Sequence, residues 1–476
     1  MNEATTNALP GLQLASKRGR WVLAATVLGS TIVFLEATVI NVALPTLGRE
    51  LNSGITGLQW MVNGYMLTLA ALILLGGSLG DHYGRRRVFV IGTIWFTLAS
   101  LACAFATSAE WLIAARVLQG VGGALLTPGS LALIEASFRP EDRGRAIGLW
   151  SGMAGVSTAV GPALGGYLID AVSWRAIFYI NVPVGIAVVW IALKYVPDSR
   201  SSSAGQRLDS LGAALATIGL AAATWALIES PNFGAHPTAI ATAAALGALS
   251  LLAFIQRERT AENPMLPLGV FRSRNFSGAN LVTFVVYGAL GGMMFTFITF
   301  LQVALGYSPL QAGAATIPIT VLMLLLSARA GALAHSIGPK IMLTAGPLVM
   351  AVAMLMMTRV APGDSYWPDV FVPLVVFGLG LATTVAPVTT TALATAPTDH
   401  AGMASAVNNA VSRTGQLIVV AVLPAVVGLS GAQYRQSAAV TSAMHGAMLF
   451  TAGLATAGAA IAWLMISQDA LDSDLG

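Results

Sequence analysis

The stretch GSLGDHYGRRRVFV, residues 77–90, decides the fold because a second stretch of the same pattern, GALAHSIGPKIMLT, occupies residues 331–344. Both read G-x-L-x-x-x-x-G-x-[RK], and each follows a long apolar run. A pattern that recurs within one chain indicates two related halves, a plan known from polytopic membrane proteins. The alternative is a chance similarity between two glycine-rich loops.

The composition around these stretches is that of an integral membrane protein. Of the 476 residues, 56% are hydrophobic and only 9% are charged, whereas soluble domains carry about 25% charged residues. The net charge of +4 does not indicate nucleic-acid binding, because the basic residues lie in short loops. Cys103 is the only cysteine, so an intramolecular disulfide is excluded.

Apolar runs divide the chain into membrane-spanning segments. A spanning helix needs about 20 apolar residues, and a backbone in lipid has to satisfy its own hydrogen bonds, so we predict an all-α protein. We predict fourteen spans, at residues 21–45, 58–80, 87–107, 110–136, 144–170, 174–196, 209–229, 236–256, 276–304, 309–330, 340–359, 367–392, 401–429 and 441–467.

The spacing of the repeat predicts how these spans are grouped. The two copies follow the second and the tenth predicted span, eight apart, whereas two adjacent six-helix halves would place them six apart. We therefore predict a six-helix bundle (1–196), linkers with two inserted helices (197–275) and a second six-helix bundle (276–476).

The distribution of Lys and Arg predicts the orientation. With a cytoplasmic N-terminus and fourteen spans, eighteen of the 24 basic residues fall on the inner side and four fall outside. Basic residues favour cytoplasmic loops. We expect both termini to be cytoplasmic and the protein to lie in the inner membrane.

Glu36 lies deep in the first apolar run, in the stretch FLEATVINVALP (34–45). An acid at mid-helix costs roughly 2.5–3.5 kcal/mol on insertion, so it needs a partner or a use. Its position, 15 residues after Trp21, is about 22 Å along the helix and in the outer half of the membrane. Arg116, in the antiparallel fourth span, reaches a similar depth, about 9 Å below the outer edge. We predict that the two charges pair, directly or through water.

This pair has two interpretations. It is either a static structural ion pair or a site of proton coupling, because an acid that a cavity can reach gains and loses a proton. We favour coupling.

Polar and aromatic residues near the pair predict a central cavity. We expect it to be lined by Glu36 and by seven further residues: Asn41, Gln59, Trp60, Asn63, Tyr65, Gln119 and Phe295. For each polar residue alone, a hydrogen bond between helices is an equally good interpretation. For Phe295, packing or lipid contact is the alternative.

Two glycine-rich segments are candidates for movement. At the inner end of the second span, Asp81 can cap or bridge a neighbouring helix, and Arg85 anchors the loop on the positive side. In VGPALGG (160–166), Pro162 removes a helix hydrogen bond and small neighbours allow close packing. The residues of interest are Gly77, Asp81, Gly84 and Arg85 in the first segment, for which a gating role is implied only by the resemblance described below, and Gly161, Pro162, Gly165 and Gly166 in the second. For the second segment, a static packing kink is the alternative.

Arg413, in NNAVSRTGQ (408–416), is the other arginine inside a span. The second half offers no acid at this depth. We expect Arg413 to bind carbonyls, polar side chains or the interface between the halves rather than a substrate.

The five histidines show no metal-ligand spacing, and the chain has no Walker A loop, H-E-x-x-H sequence or nucleophile elbow. We therefore predict neither a metal nor a cofactor. A membrane enzyme or sensor would need a catalytic cluster or a soluble domain, and neither is visible.

At the level of motifs, the whole chain resembles the fourteen-span drug:proton antiporter branch of the major facilitator superfamily. The first-span signature is similar to LEATVINVALP (35–45), and the loop motif to GSLGDHYGRRR (77–87). LIAARVLQGVGGA (112–124), GPALGG (161–166) and SWRAIFYINVPVG (173–185) resemble three further motifs. Two positions depart from the pattern: Glu36 stands where aspartate is usual, and His82 where a basic Arg or Lys is common.

This resemblance implies a function. The expected activity is export of small lipophilic drugs or antibiotics, including cations, driven by a proton gradient through alternating access. Asp81 and Arg85 would belong to an inner gating network, and Arg116 would take part in proton coupling. We expect the protein to work as a monomer in the lipid bilayer. Export of one endogenous metabolite, or proton-coupled uptake, is the alternative.

Overall fold

The chain is built from α-helices in the computed structural model, which describes residues 11–199, 209–395 and 401–471. The first half contains α1 to α7, at Lys17–Glu50, Ile55–Tyr83, Arg85–Ala104, Ala109–Ser137, Pro140–Ala171, Ala176–Tyr179 and Asn181–Tyr195. Between the halves lie α8 (Ser210–Glu229) and α9 (Pro237–Thr260). The second half contains α10 to α16, at Arg274–Val303, Pro309–Ala315, Ile317–Ile337, Pro339–Met357, Val372–Ala394, Ala401–Val426 and Ser437–Met465.

Thirteen candidate membrane spans are present among the described residues, against the fourteen predicted. Four of them combine neighbouring elements: α6 with α7, α8 with the 3-10 helix Ser230–Asn232, α11 with α12, and the π-helix Tyr366–Phe371 with α14. The predicted span that is missing from this set coincides with α5, a helix of 32 residues rich in glycine. The structure therefore supports a polytopic helical protein without establishing the fourteenth span.

The two copies of the repeated loop have the same backbone geometry. Gly84 separates α2 from α3 with φ 106° and ψ 124°, and Gly338 separates α12 from α13 with φ 85° and ψ 145°. Positive φ of this kind favours glycine. The repeat seen in the sequence is thus also a repeat of local structure.

Helices pack against several neighbours within each half of the chain. In the first half α1 packs on α5 and α7, and α4 packs on α2 and α3; in the second, α10 packs on α15 and α16, and α13 on α14 and α16. In the inserted pair, α8 contacts α9, and also α2 and α15. The inserted pair therefore lies along the seam where α2 meets α15. Most of the linker predicted at 197–208 lies outside the described residues.

Hydrogen bonds join the halves at the end of the molecule where α1 finishes and α2 begins. Gln302 Nε2 donates to the Val42 carbonyl over 2.9 Å, and Arg435 Nη2 donates to the Gly48 carbonyl over 2.8 Å. The Ile55 amide donates to the Gly431 carbonyl over 2.9 Å. In the predicted orientation this is the outer end.

Helix α5 is packed at its C-terminal end and open along its N-terminal half. A Cβ at Gly161 or Gly165 would collide with α1, and one at Gly166 would collide with the Pro309 carbonyl of the second half. Toward the N-terminus, a Cβ would meet no atom within 4 Å at any of Gly144, Gly148, Gly152 and Gly155. These four lie at helical spacing on the face that carries Gly166. The two halves thus touch along α5 at one end and leave its face open toward the other.

Candidate functional site

Glu36 and Arg116 form a buried ion pair. Arg116 Nη1 donates to Glu36 Oε1 over 2.6 Å, and both side chains are fully buried. The guanidinium also donates from Nε to the Met61 carbonyl over 3.0 Å. The predicted pairing is therefore present as a direct contact. Since α1 and α4 are packed side by side, the pair fastens two helices of the first half to each other.

An amide that the sequence analysis did not single out completes the carboxylate's surroundings. Asn181 Nδ2 donates to Glu36 Oε2 over 2.8 Å and lies 2.9 Å from Ser100 Oγ. Ser100 in turn donates to the Phe178 carbonyl over 3.0 Å. Both oxygens of Glu36 are thus occupied. Polar residues inside apolar spans would have been the signal for Asn181 and Ser100.

The guanidinium has a second set of neighbours and a spare donor. Gln119 Oε1 accepts from Arg116 Nη1 over 2.7 Å. The ring of Tyr65 lies beneath the guanidinium, with its centre 4.4 Å from Cζ, and its hydroxyl donates to the Val33 carbonyl. Arg116 Nη2 and Gln119 Nε2 are buried and have no hydrogen-bond partner among the described residues. Arg116 can therefore take up another acceptor without giving up its present bonds.

A small cavity lies beside this network, between the two halves. On the side of the first half it is lined by Ala37, Asn41, Val62, Asn63 and Met66. Its second-half wall consists of Gly291 from α10 with Gln416 and Val420 from α15. At about 20 Å³, it has room for about one water molecule.

The structure divides the predicted cavity residues into two groups. Asn41 and Asn63 line the cavity, and the amide of Asn63 is fully buried with neither its nitrogen nor its oxygen hydrogen-bonded within the described chain. Glu36, Tyr65 and Gln119 lie instead in the network around Arg116.

The other predicted residues have packing or bridging positions. Gln59 Nε2 donates to the carbonyls of Val420 and Ala421, over 2.9 and 2.7 Å, and so joins α2 to α15. Trp60 packs against the apolar core of the first half. Phe295 is buried one turn beyond Gly291 and is not among the lining residues.

The gating candidates lie in two places. Asp81 accepts from Arg85 Nε over 2.8 Å, and Arg85 also donates to the Ala132 carbonyl of α4. Gly77 lies near the Pro128 ring of α4, and Gly84 supplies the positive-φ turn. The segment with Gly161, Pro162, Gly165 and Gly166 lies where α5 contacts α1 and α11.

The described residues contain no group of three His, Cys, Asp or Glu side chains arranged to hold a metal ion. The polar groups at the site are the Glu36 carboxylate, the Arg116 guanidinium and a set of amides.

Three curated relatives are described as resistance proteins. The chain is 37% identical over 407 residues to the multidrug resistance protein Stp of Mycobacterium tuberculosis, which covers 85% of this chain and 75% of that one. It is 36% identical over 452 residues to the methylenomycin A resistance protein of Streptomyces coelicolor, covering 94% and 92%. It is 34% identical over 410 residues to the tetracenomycin C resistance and export protein of Streptomyces glaucescens, covering 85% and 76%.

Solved structures and a family model identify the fold and the family of the chain. A crystal structure of a D-xylose-proton symporter matches with a TM-score of 0.66 at 15% identity, over 94% of this chain and 98% of that one. A bacterial homologue of the human lysosomal transporter Spinster matches equally well at 16% identity, over 95% and 97%. At such identities the likeness concerns the fold alone. The Major Facilitator Superfamily model matches residues 26–420. The chain therefore belongs to the major facilitator superfamily and has relatives that confer resistance to antibiotics.

Proposed function

We propose that the protein exports small lipophilic drugs or antibiotics across a bacterial inner membrane in exchange for protons. The resistance proteins that it resembles over most of its length support drug export. The observation that carries the coupling mechanism is the fully buried Glu36–Arg116 pair beside a cavity between the halves.

The coupling step follows from charge balance. When Glu36 is ionised, it neutralises Arg116, and Asn181 holds its second oxygen. Protonation would leave the guanidinium as an uncompensated buried charge, which is strongly unfavourable. The protein would then favour a conformation in which Arg116, with its free Nη2 donor, gains another acceptor. Proton binding and the conformational equilibrium are thus linked.

The direction of opening fits an exporter that loads from inside. The halves are joined at the predicted outer end, and the face of α5 is open toward the predicted inner end. Substrate would enter from the cytoplasm or the inner leaflet, and rocking of the halves would expose it outside. In this proposal α5 is the fourteenth span and both termini are cytoplasmic.

Proton flux in liposomes tests the proposal. Purified protein is reconstituted with a pH-sensitive dye inside, a proton gradient is imposed, and lipophilic cations, acids and neutral antibiotics are added in turn. We expect drug-dependent proton flux from wild type, a reduction of at least tenfold in Glu36→Gln, and wild-type flux in Glu262→Gln, which removes an exposed loop carboxylate.

The other outcomes separate the alternatives. Full flux in Glu36→Gln protein that is monodisperse would make Glu36 a structural partner of Arg116 and refute its coupling role. Flux with one compound only would favour a carrier for a specific metabolite. Proton and substrate moving in the same direction would favour uptake.

A further inference from the structure

Arg413 is a buried cation whose charge no described residue neutralises. It lies in the middle of α15 with 8% of its surface exposed. Among the described residues it forms neither an ion pair nor a hydrogen bond. Of the three expected surroundings, namely carbonyls, polar side chains or the interface between the halves, the structure shows the interface. Its guanidinium carbon lies 5.4 Å from the centre of the Phe34 ring, on the opposite half. An unpaired charge at such a position is costly, and a cation–π contact attracts the guanidinium without neutralising its charge.

The position of Arg413 is tied to the cavity by helix geometry. Arg413 precedes the lining residue Gln416 by three positions on α15, and Phe34 precedes the lining residue Ala37 by three on α1. Residues three or four apart share a helix face. Tyr287, which interacts electrostatically with Arg413, likewise precedes the lining residue Gly291 by four on α10.

These three helices run in the same direction in the predicted topology. Arg413, Phe34 and Tyr287 therefore form one layer, a single turn to the inner side of the cavity. A substrate that entered from inside would reach the free cation before it reached the cavity.

The cavity itself provides hydrogen-bonding groups and no carboxylate. Asn63 has both amide atoms buried and unpartnered within the described chain, and Asn41 and Gln416 lie in the same lining. Glu36 does not supply the missing negative charge, because its oxygens are bonded to Arg116 and Asn181. The unmatched group at this site is thus positive.

We propose that Arg413 binds an acidic group of the exported substrate, such as a carboxylate or an ionised phenol, with Asn63 donating a further hydrogen bond. This inference rests on the proposed function and deepens it by naming the substrate class. A guanidinium offers two parallel N–H donors to a carboxylate. The lining comes from both halves, so the cavity widens to substrate size when they separate.

Matched ligands test the proposal by equilibrium binding. The probes are dansylglycine, its methyl ester and dansylcadaverine, which carry a carboxylate, no charge and an ammonium group on the same fluorophore. Fluorescence is titrated with protein in phosphatidylcholine nanodiscs, without a proton gradient. We expect wild type to bind the acid at least tenfold more tightly than the ester or the amine.

Two variants and a control assign the preference to Arg413. Arg413→Gln should reduce the preference for the acid to less than twofold, and Arg413→Lys, which keeps the charge but loses the planar fork, should retain part of it. Arg259→Gln also removes one cation, from an exposed position on α9, and should bind like wild type. Both Arg413 variants are checked for monodispersity, so that a loss of the preference for the acid is not caused by misfolding.

Three results would overturn the inference: equal binding of the three probes, no binding of the acid, or an acid preference that survives Arg413→Gln. Displacement of the acid when phosphatidylglycerol replaces phosphatidylcholine would assign the site to a lipid headgroup instead. Binding is measured without a gradient, so the two proposals can fail separately. Acid-selective binding without drug-driven proton flux would refute antiport and leave the role of Arg413 standing. Proton flux driven equally by the ester and the amine would support antiport and refute the role of Arg413.

Discussion

At the scale of single residues, the two arginines within the helices show how burial and partners divide roles. Arg116 is neutralised by Glu36 over 2.6 Å, whereas Arg413 lies over the ring of Phe34, one helical turn from the cavity. A buried ion pair adds little net stability compared with apolar residues, but the removal of one partner is strongly destabilising. The network around Arg116 therefore has to be kept complete or be rearranged as a unit.

A double-mutant cycle on the pair separates its structural and functional roles. Glu36→Gln leaves a guanidinium that cannot lose its charge, so we expect a loss of about 3–5 kcal/mol. Arg116→Gln leaves a carboxyl group that can become neutral by taking up a proton, so the loss should be smaller. The loss of stability in the double variant should be smaller than the sum of the two single losses, and the double variant should show no proton flux.

Thermal unfolding in detergent, at one pH and one protein concentration, measures the cycle. Losses that add within about 0.5 kcal/mol, as for independent sites, would show that the pair is not energetically coupled. Equal losses for the two single variants would contradict the argument from protonation.

The sequence was sufficient to predict one part of the site and not another. Glu36 and Arg116 could be paired because two isolated charges at the same depth have few possible partners. Asn181 was not found, because a single amide in a span has several possible directions and the sequence does not reveal which one the helix faces. Gln59 was assigned to the cavity on the same kind of evidence, but it bonds to carbonyls of the other half.

At the scale of helices, prolines lie at two places where the observed helices differ from the predicted spans. The span predicted at 309–330 is divided at Thr316, between α11 and α12. Pro318 lies in the first turn of α12, where a backbone N–H would have no acceptor within the helix, so proline is tolerated there. The first span was predicted to end at Pro45, whereas α1 continues to Glu50 with this proline inside. Packing against neighbours overrides the local preference there.

The repeated loop leads to a prediction about Gly84. Its φ of 106° is strained for any residue with a Cβ, so Gly84→Ala should cost about 1–3 kcal/mol. Gly80, one turn earlier in α2, has its nearest neighbouring atom 3.9 Å from an added Cβ, so Gly80→Ala should be neutral or stabilising by up to about 1 kcal/mol. Unfolding temperatures of the two variants provide the comparison. An equal effect at both positions would mean that the loop adopts another backbone conformation.

At the scale of the whole molecule, the seam between the halves is unevenly closed. Backbone and side-chain hydrogen bonds cross it at one end, and the inserted pair covers it where α8 contacts α2 and α15. Along α5 the packing changes from close contact at Gly166 to open space at Gly148. The proposed alternating access requires two states, and one of them is fastened at one end and open at the other.

Cysteine labelling tests whether this open side is reached by water from the inner face. Gly148 and Gly453 both have room for a side chain, with no atom within 4 Å of an added Cβ, but Gly453 lies on the exposed surface of α16. The native Cys103 is fully buried and should not react. We expect a membrane-impermeant maleimide to label Gly148→Cys in inside-out vesicles and to label it much less in right-side-out ones. Gly453→Cys, facing lipid, should react slowly in both. Labelling of Gly148→Cys only from the outside would reverse the predicted orientation. Labelling as slow as that of Gly453→Cys would place the open face of α5 against lipid rather than between the halves.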